Sequence, residues 1–190
     1  MSIARRPQRA DARRNREKVV AAASAAFAES GLEAQVEDIA RRAGVGVGTV
    51  YRHFPTKEKL VEALAAEHFG KLAAIAEAAL DEPGEPWDLF ATTIWRAATA
   101  VAADVAWCEI MGGHPSAARA ASPGQLRLTQ AMTTLMNGAQ AAGVMREDAT
   151  VSDIRTIMCG FGHVAAAQRA GNEMNWERYL EIALDGLRTR

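Results

Sequence analysis

The chain has 190 residues, 49% hydrophobic and 24% charged, the proportions of a soluble globular protein, and its alanine-rich stretches with little β-branched alternation predict an all-α fold. Its net charge of −1 conceals a split, since residues 1–60 carry twelve Lys/Arg against seven Asp/Glu and the remainder ten against sixteen, as expected of a nucleic-acid-binding module joined to an acidic body. Two distant cysteines, Cys108 and Cys159, exclude a disulfide framework or a zinc cluster, and without a run of about 18 apolar residues neither a membrane span nor secretion is expected.

From Met1 to Lys18, six arginines and one lysine face two acids, which predicts a flexible basic arm over residues 1–15 leading into a helix. Val20, Ala23 and Phe27 then recur on one helical face, and Gly31 stops that helix. A second helix is predicted over Val36–Ala43, with Ile39, Ala40 and Ala43 inward and Gly44 at its C-terminal turn. After the turn at Val45 and Gly46, a third runs over Val47–His53, points Val50 and Phe54 back at the other two, and ends at Pro55. Thr56 is a suitable N-cap for a long fourth helix bearing the stripe Leu60, Leu64, Leu72, Ile75 and Ala79, which bridges two domains at 16–60 and 61–190. A Pro/Gly-rich loop over Asp81–Pro86 precedes predicted helices over Trp87–Ala103, Asp104–Met111, Pro123–Ala142, Ser152–Ala170 and Trp176–Arg188.

Three helices with a tight Gly-containing turn between the second and third form a helix-turn-helix unit, whose last helix enters the DNA major groove. The segment VEDIARRAGVGVGTVYRHFPTKE from Val36 to Glu58 closely resembles the signature of the tetracycline-repressor (TetR) family of bacterial regulators, and the resemblance covers residues 13–60. It implies that Val47, Gly48, Thr49, Arg52 and His53 face the groove while Tyr51 and Lys57 grip phosphates. The chemistry agrees: an arginine can pair with guanine O6 and N7, a threonine can bond a base edge and touch a thymine methyl, and a tyrosine hydroxyl can donate to phosphate. Family members commonly carry Thr where Gln35 stands and Ser where Gly46 stands; both helix N-termini are therefore expected to be weakly capped, with Gln35 free to reach DNA. The string Gly44-x-Gly-x-Gly48 also looks like a nucleotide-binding loop, but such a loop follows a strand, and a helix is predicted here.

All four tryptophans and every methionine but the first lie beyond Leu60. Such residues ordinarily fill cores, whereas the resemblance implies a ligand cavity between the middle helices, for which Phe90, Trp95, Trp107, Met111, Met132, Met136 and Phe161 are the candidates, with His114 in the following loop. His163 reads as a core or interface histidine or a ligand contact, and His68 as a helix-face residue. The last two helices are amphipathic, and Gly160, Gly162 and Ala165–Ala167 permit close approach. That pattern suits either packing within one chain or a dimer, and in the family these helices pair with their copies. Two reading heads must then stand about 34–36 Å apart to meet successive major grooves.

These observations together predict a homodimeric, cytoplasmic, bacterial DNA-binding regulator that represses at a pseudo-palindromic operator until an unidentified small molecule releases it. No cofactor and no metal are expected. An enzyme would need a nucleophile and base, a metal cluster or a cofactor loop, and none is evident. A redox sensor would need a cysteine in a basic setting, and both cysteines read instead as buried, inert thiols.

Overall fold

In the computed structural model, which describes residues 6–107 and 122–189, most of the described residues are helical. The helices are α1 (Arg6–Ser30), α2 (Val36–Ala43), α3 (Val47–His53), α4 (Lys57–Leu80), α5 (Pro86–Ala103), α6 (Pro123–Ala141), α7 (Val151–Arg169) and α8 (Trp176–Leu187). A single 3-10 turn, Gly31–Glu33, follows α1, and residues 105–107 are also helical. The only extended pairing among the described residues is the isolated bridge between Met145 and Arg188.

Among the described residues helix α1 runs from Arg6, within the stretch that charge alone predicts to be a flexible arm. Its composition explains the difference. Arginine, alanine and glutamine are good helix formers. Ion pairs one turn apart, Asp11 with Arg14 and Arg13 with Glu17, add a few tenths of a kcal/mol each.

The chain divides into two compact units. The first comprises residues up to Ala65 together with a segment that returns at Val105, and the second comprises Ala66–Asp104 and the residues from Ala121 onward. The boundary expected at Leu60 therefore moves, because Leu60, Val61, Leu64 and Ala65 are buried in the first unit's core with Val19, Ala23, Phe27, Ile39, Val50 and Phe54. Ala106 and Trp107 also pack there, an assignment that position along the chain does not reveal. Arg42 adds a two-pronged bond from α2 to Glu29 of α1, at 2.8 Å and 2.5 Å. That hydrogen bond holds the Glu29 carboxyl below its ordinary pKa.

Helix α2 ends as its sequence predicts. Gly44 adopts φ 66°, ψ 35°, its N–H bonds the Arg41 carbonyl at 3.2 Å, and the Val45 N–H bonds the Ala40 carbonyl at 3.0 Å. This pair of bonds satisfies two otherwise orphaned carbonyls and turns the chain into α3. At the N-termini of α2 and α3, Gln35 and Gly46 make no side-chain cap.

In the second unit α5, α6 and α7 pack on one another and α8 packs on α7. Their starts are well capped: Ser122 accepts from the Gln125 N–H, Thr150 and Asp153 form a reciprocal capping box, and Asn175 accepts from the Arg178 N–H. Two close crossings fix the geometry. A Cβ at Gly124 would lie 2.7 Å from the backbone nitrogen of Gly70, so α4 and α6 touch backbone to backbone; one at Gly160 would lie 2.5 Å from the Tyr179 hydroxyl. Tyr179 donates to the Ile157 carbonyl at 3.0 Å, so the space at Gly160 is filled from within the same chain.

Gly44→Ala is expected to destabilise the protein by about 1–2 kcal/mol through left-handed backbone strain. Gly46→Ser, at a position with open space around it, should stabilise by a few tenths of a kcal/mol by supplying the missing cap. Urea unfolding followed by circular dichroism measures both.

Candidate functional site

A helix of seven residues presents two faces, and the burial of α3 separates them. Val50 (1% exposed) and Phe54 (4%) anchor it in the core, and Val47 is half-buried and packs against that core. On the opposite side lie Gly48, Tyr51 and Arg52, all exposed, with Tyr51 at 46%. Gly48 and Arg52 are one turn apart, and Gly48, without a side chain, lets a partner approach the helix backbone closely. Thr49 is half-buried on the flank.

Charge separates the residues further. Arg41 pairs with Asp38, Arg42 with Glu29 and Lys59 with Glu62. Arg52 makes no ion pair among the described residues, so its guanidinium is free to form a two-pronged bond with a base edge. Both Arg52 and His53 lie in the last turn of α3, where positive charge suits the helix dipole.

The remaining sequence candidates are less open. His53 is half-buried, its ring 6.3 Å from that of Phe54 and its Nε2 buried without a hydrogen-bond partner among the described residues. Lys57 is half-buried, with its ammonium 5.8 Å from the centre of the Phe27 ring. Gln35 is exposed and donates to the Glu33 carbonyl at 2.7 Å, a bond that an approaching phosphate would have to displace. One residue that sequence reasoning passed over is Arg16, whose guanidinium stands 5.3 Å from the centre of the Phe54 ring. A cation–aromatic contact between residues 38 positions apart leaves no periodic trace in the sequence.

Of the candidate ligand residues, Phe90 and Phe161 are fully buried, and Met132 and Met136 are 5% and 2% exposed. Trp95 is half-buried, and the structure joins it to Phe161 through Trp176: the ring centres of Trp95 and Trp176 are 5.9 Å apart, and those of Phe161 and Trp176 are 5.3 Å apart, edge to face. Trp176 is the member that sequence reasoning missed, because it opens α8 and reads there as a packing residue. Its backbone N–H donates to Gln168 Oε1 at 2.8 Å. Trp107 packs instead against the core of the first unit. Met111 and His114 lie outside the described residues, as does Cys108.

His68 is buried (4% exposed) rather than a simple helix-face residue, with Nδ1 3.0 Å from Asp104 Oδ2. This contact ties α4 to the C-terminal end of α5. His163 is exposed, its Nδ1 3.1 Å from the Cys159 carbonyl. Cys159 is exposed too, not buried as expected. Its sequence neighbours Phe161 and Ala165 take the inward positions of α7.

The first unit is thus a three-helix reading head of the helix-turn-helix class, and the second is a helical body with an aromatic and methionine core. Residues 19–64 match the family described as bacterial regulatory proteins, tetR family, and residues 82–189 match the C-terminal domain described as transcriptional regulator SbtR-like. A TetR transcriptional regulator from Streptomyces coelicolor is 33% identical over 91% of this chain and 98% of its own, with a TM-score of 0.60. A TetR regulatory protein from Mycobacterium vanbaalenii is 32% identical over 96% and 100%, also with a TM-score of 0.60. A third structure, from work on the control of antibiotic production by bacterial hormones, is 28% identical over 92% and 97%, with a TM-score of 0.72. The chain belongs to the TetR family of DNA-binding transcriptional regulators.

Arg52→Ala is expected to weaken binding to a preferred duplex by about 1–3 kcal/mol per bound reading head and to relax discrimination at the contacted base pair, whereas Lys57→Ala should weaken all sequences alike and reduce the salt slope by about one per bound reading head. Fluorescence anisotropy titrations at several salt concentrations, on matched and point-substituted duplexes, separate the two effects.

Proposed function

We propose that the protein is a homodimeric repressor of the bacterial cytoplasm, bound to a pseudo-palindromic operator and released from it by an apolar or aromatic small molecule. The observation that carries this reading is the outward face of α3, where an exposed Arg52, with no ion pair among the described residues, sits beside Gly48 and Tyr51. Direct base readout rests on Arg52 and Thr49, with Val47, Gly48 and His53 alongside. Phosphate contacts rest on Tyr51 and Lys57, with Gln35 at the edge.

Release requires a ligand that binds one conformation better than another, because equal affinity for both shifts nothing. Phe90, Trp95, Met132, Met136 and Phe161, joined by Trp176, are the described residues on which such a ligand would act, with Met111 and His114 as further candidates. Phe90 and Phe161 have no exposed surface, so a ligand must part this core to enter, and that dependence on repacking is what gives it differential affinity. Methionine suits the task, since its thioether adapts to irregular shapes. The relative from work on bacterial hormones supports a small-molecule signal by analogy.

Dimerisation through α7 and α8 is supported by the surface they leave uncovered. Ile182 is 57% exposed between Glu181 and Asp185 on α8. On α7 the exposed Cys159 and His163 lie beside the half-buried Gly162 and Ala166, small residues that allow close approach.

Selection from a random-sequence duplex pool, followed by footprinting, tests the central reading. Two protected half-sites related by a two-fold axis are expected, and no enrichment at moderate salt would overturn it. Ile182→Asp should give a monomer by sedimentation and lose about 100-fold in affinity for the two-half-site duplex, as expected when two linked contacts become one. A variant that remains dimeric would move the interface elsewhere.

A further inference from the structure

Glu177 carries a charge that the chain leaves unanswered. The residue is half-buried in the first turn of α8, and its Oε2 atom is buried with no hydrogen-bond partner, the only carboxylate oxygen in that condition among the described residues. Nor does it form an ion pair there: on the same helix Arg178 pairs with Glu181, and Arg188 lies 5.0 Å from the centre of the Trp87 ring. Burying a carboxylate oxygen without a partner is costly, so such a group is a candidate for a partner that arrives from outside the chain.

Helix capping does not account for it. An acid in the first turn commonly serves the free N–H groups there, but the Trp176 backbone N–H donates to Gln168 Oε1 at 2.8 Å and the Arg178 backbone N–H to Asn175 Oδ1 at 2.7 Å. The turn is held without Glu177.

Helical phase places the carboxylate. Leu180, Leu184 and Leu187 mark the inward side of α8. At about 100° per residue, Trp176 lies about 40° to one side of Leu180 and Glu177 about 60° to the other, about 20° from Arg188. Because Arg188 lies over Trp87 of α5, Glu177 is on the flank of α8 turned toward α5. The two helices run antiparallel, since Trp176 meets Trp95 while Arg188 meets Trp87. At about 1.5 Å per residue, Glu177 stands about 17 Å along α8 from Arg188, and Trp95 about 12 Å along α5 from Trp87. Glu177 is therefore within about one helical turn of the level of Trp95, with Trp176 next to it in the chain.

Two tryptophan rings 5.9 Å apart beside an unsatisfied carboxylate suit an organic cation. A cation is drawn to an aromatic face, most strongly to that of tryptophan, and supplies the charge-assisted contact that Oε2 lacks. A metal ion needs several oxygen ligands, and no group of three or more His, Cys, Asp or Glu is assembled among the described residues. Trp95, Trp176 and Glu177 are all half-buried, so a ligand reaches them before the fully buried Phe90 and Phe161.

The structure assigns Glu177, with Trp95 and Trp176, as the anchor for the cationic group of an aromatic ammonium ligand. The inference rests on the reading of the aromatic cluster as the ligand site and names the class of molecule it selects. Oε2 gains its partner only when the ligand is bound, and that gain favours the liganded conformation over the free one.

The test titrates the full-length protein with benzyltrimethylammonium and with its neutral isostere, neopentylbenzene, by isothermal titration calorimetry. The wild type should bind the cation at least about ten-fold more tightly than the neutral probe. Glu177→Gln should abolish that preference with the affinity for neopentylbenzene unchanged, and Glu177→Asp should retain part of it. In scanning calorimetry without ligand, Glu177→Gln should unfold at no lower a temperature than the wild type, because it removes a charge that the free chain does not satisfy.

Equal affinity of the wild type for the two probes, or a preference that survives in Glu177→Gln, overturns this inference and leaves the ligand site standing. Unfolding of Glu177→Gln at a clearly lower temperature, or its conversion from dimer to monomer in sedimentation, overturns it as well, because the carboxylate is then already satisfied within the chain or by a partner subunit. Binding of neither probe overturns both this inference and the aromatic cluster as the ligand site.

Discussion

The reading head depends on the burial of Val50 and Phe54. Seven residues are too few for a helix to persist in water, because the cost of nucleation is recovered over only two turns. Helix α3 also lacks a side-chain cap at Gly46. What holds it is the insertion of Val50 and Phe54 among Val19, Phe27 and Ile39, each side chain contributing about 1.5–3 kcal/mol by leaving water. Once those two positions are fixed inward, the 3.6-residue repeat leaves Gly48, Tyr51 and Arg52 no direction but outward. The functional face is a geometric consequence of the buried one.

The same dependence explains why this part of the fold was legible in the sequence. Val36–Ala43 and Val47–His53 were readable to the residue, because Gly44 and Gly46–Val47 mark the turn and the apolar positions match only a helical repeat. The second unit's helices were readable to within a residue or two, and in the structure Pro86, Ser122, Thr150 and Asn175 stand at their starts. Other features depend on contacts between distant positions and leave no periodic signature. Trp107 joins the first unit's core, His68 meets Asp104 across 36 positions, and Trp176 links Trp95 to Phe161. The basic run at the start was visible as charge, but charge alone does not distinguish a solvated coil from a helix. Helical propensity and one-turn ion pairs decide that, and both favour the helix.

Polar detail was only partly legible for a related reason. The family pattern assigns Lys57 and His53 to the DNA surface, and their positions agree with that in sequence. Yet Lys57 lies over Phe27 and His53 has turned an edge inward. A long side chain can cover an apolar surface with its stem and still present its charge to solvent, so the contact with Phe27 is compatible with the phosphate role proposed for Lys57. The buried Nε2 of His53 is a stronger constraint, because a base contact through that atom requires the ring to rotate.

Charge pairing gives the first unit its directionality. Its positive excess is not spread evenly: the acids are used on α1 and α2 and at the start of α4, where Asp11, Glu17, Glu29, Asp38 and Glu62 hold Arg14, Arg13, Arg42, Arg41 and Lys59. These exposed pairs add little stability. Their larger effect is to lower the field of the surfaces they occupy, since a neutralised pair attracts phosphate less than an isolated cation does. No acid lies within α3, so the field of Arg52 is undiminished by its own helix and is reinforced by Arg16 against Phe54 on the neighbouring element. A polyanion is therefore drawn toward the outward face of α3, where the proposed base contacts lie.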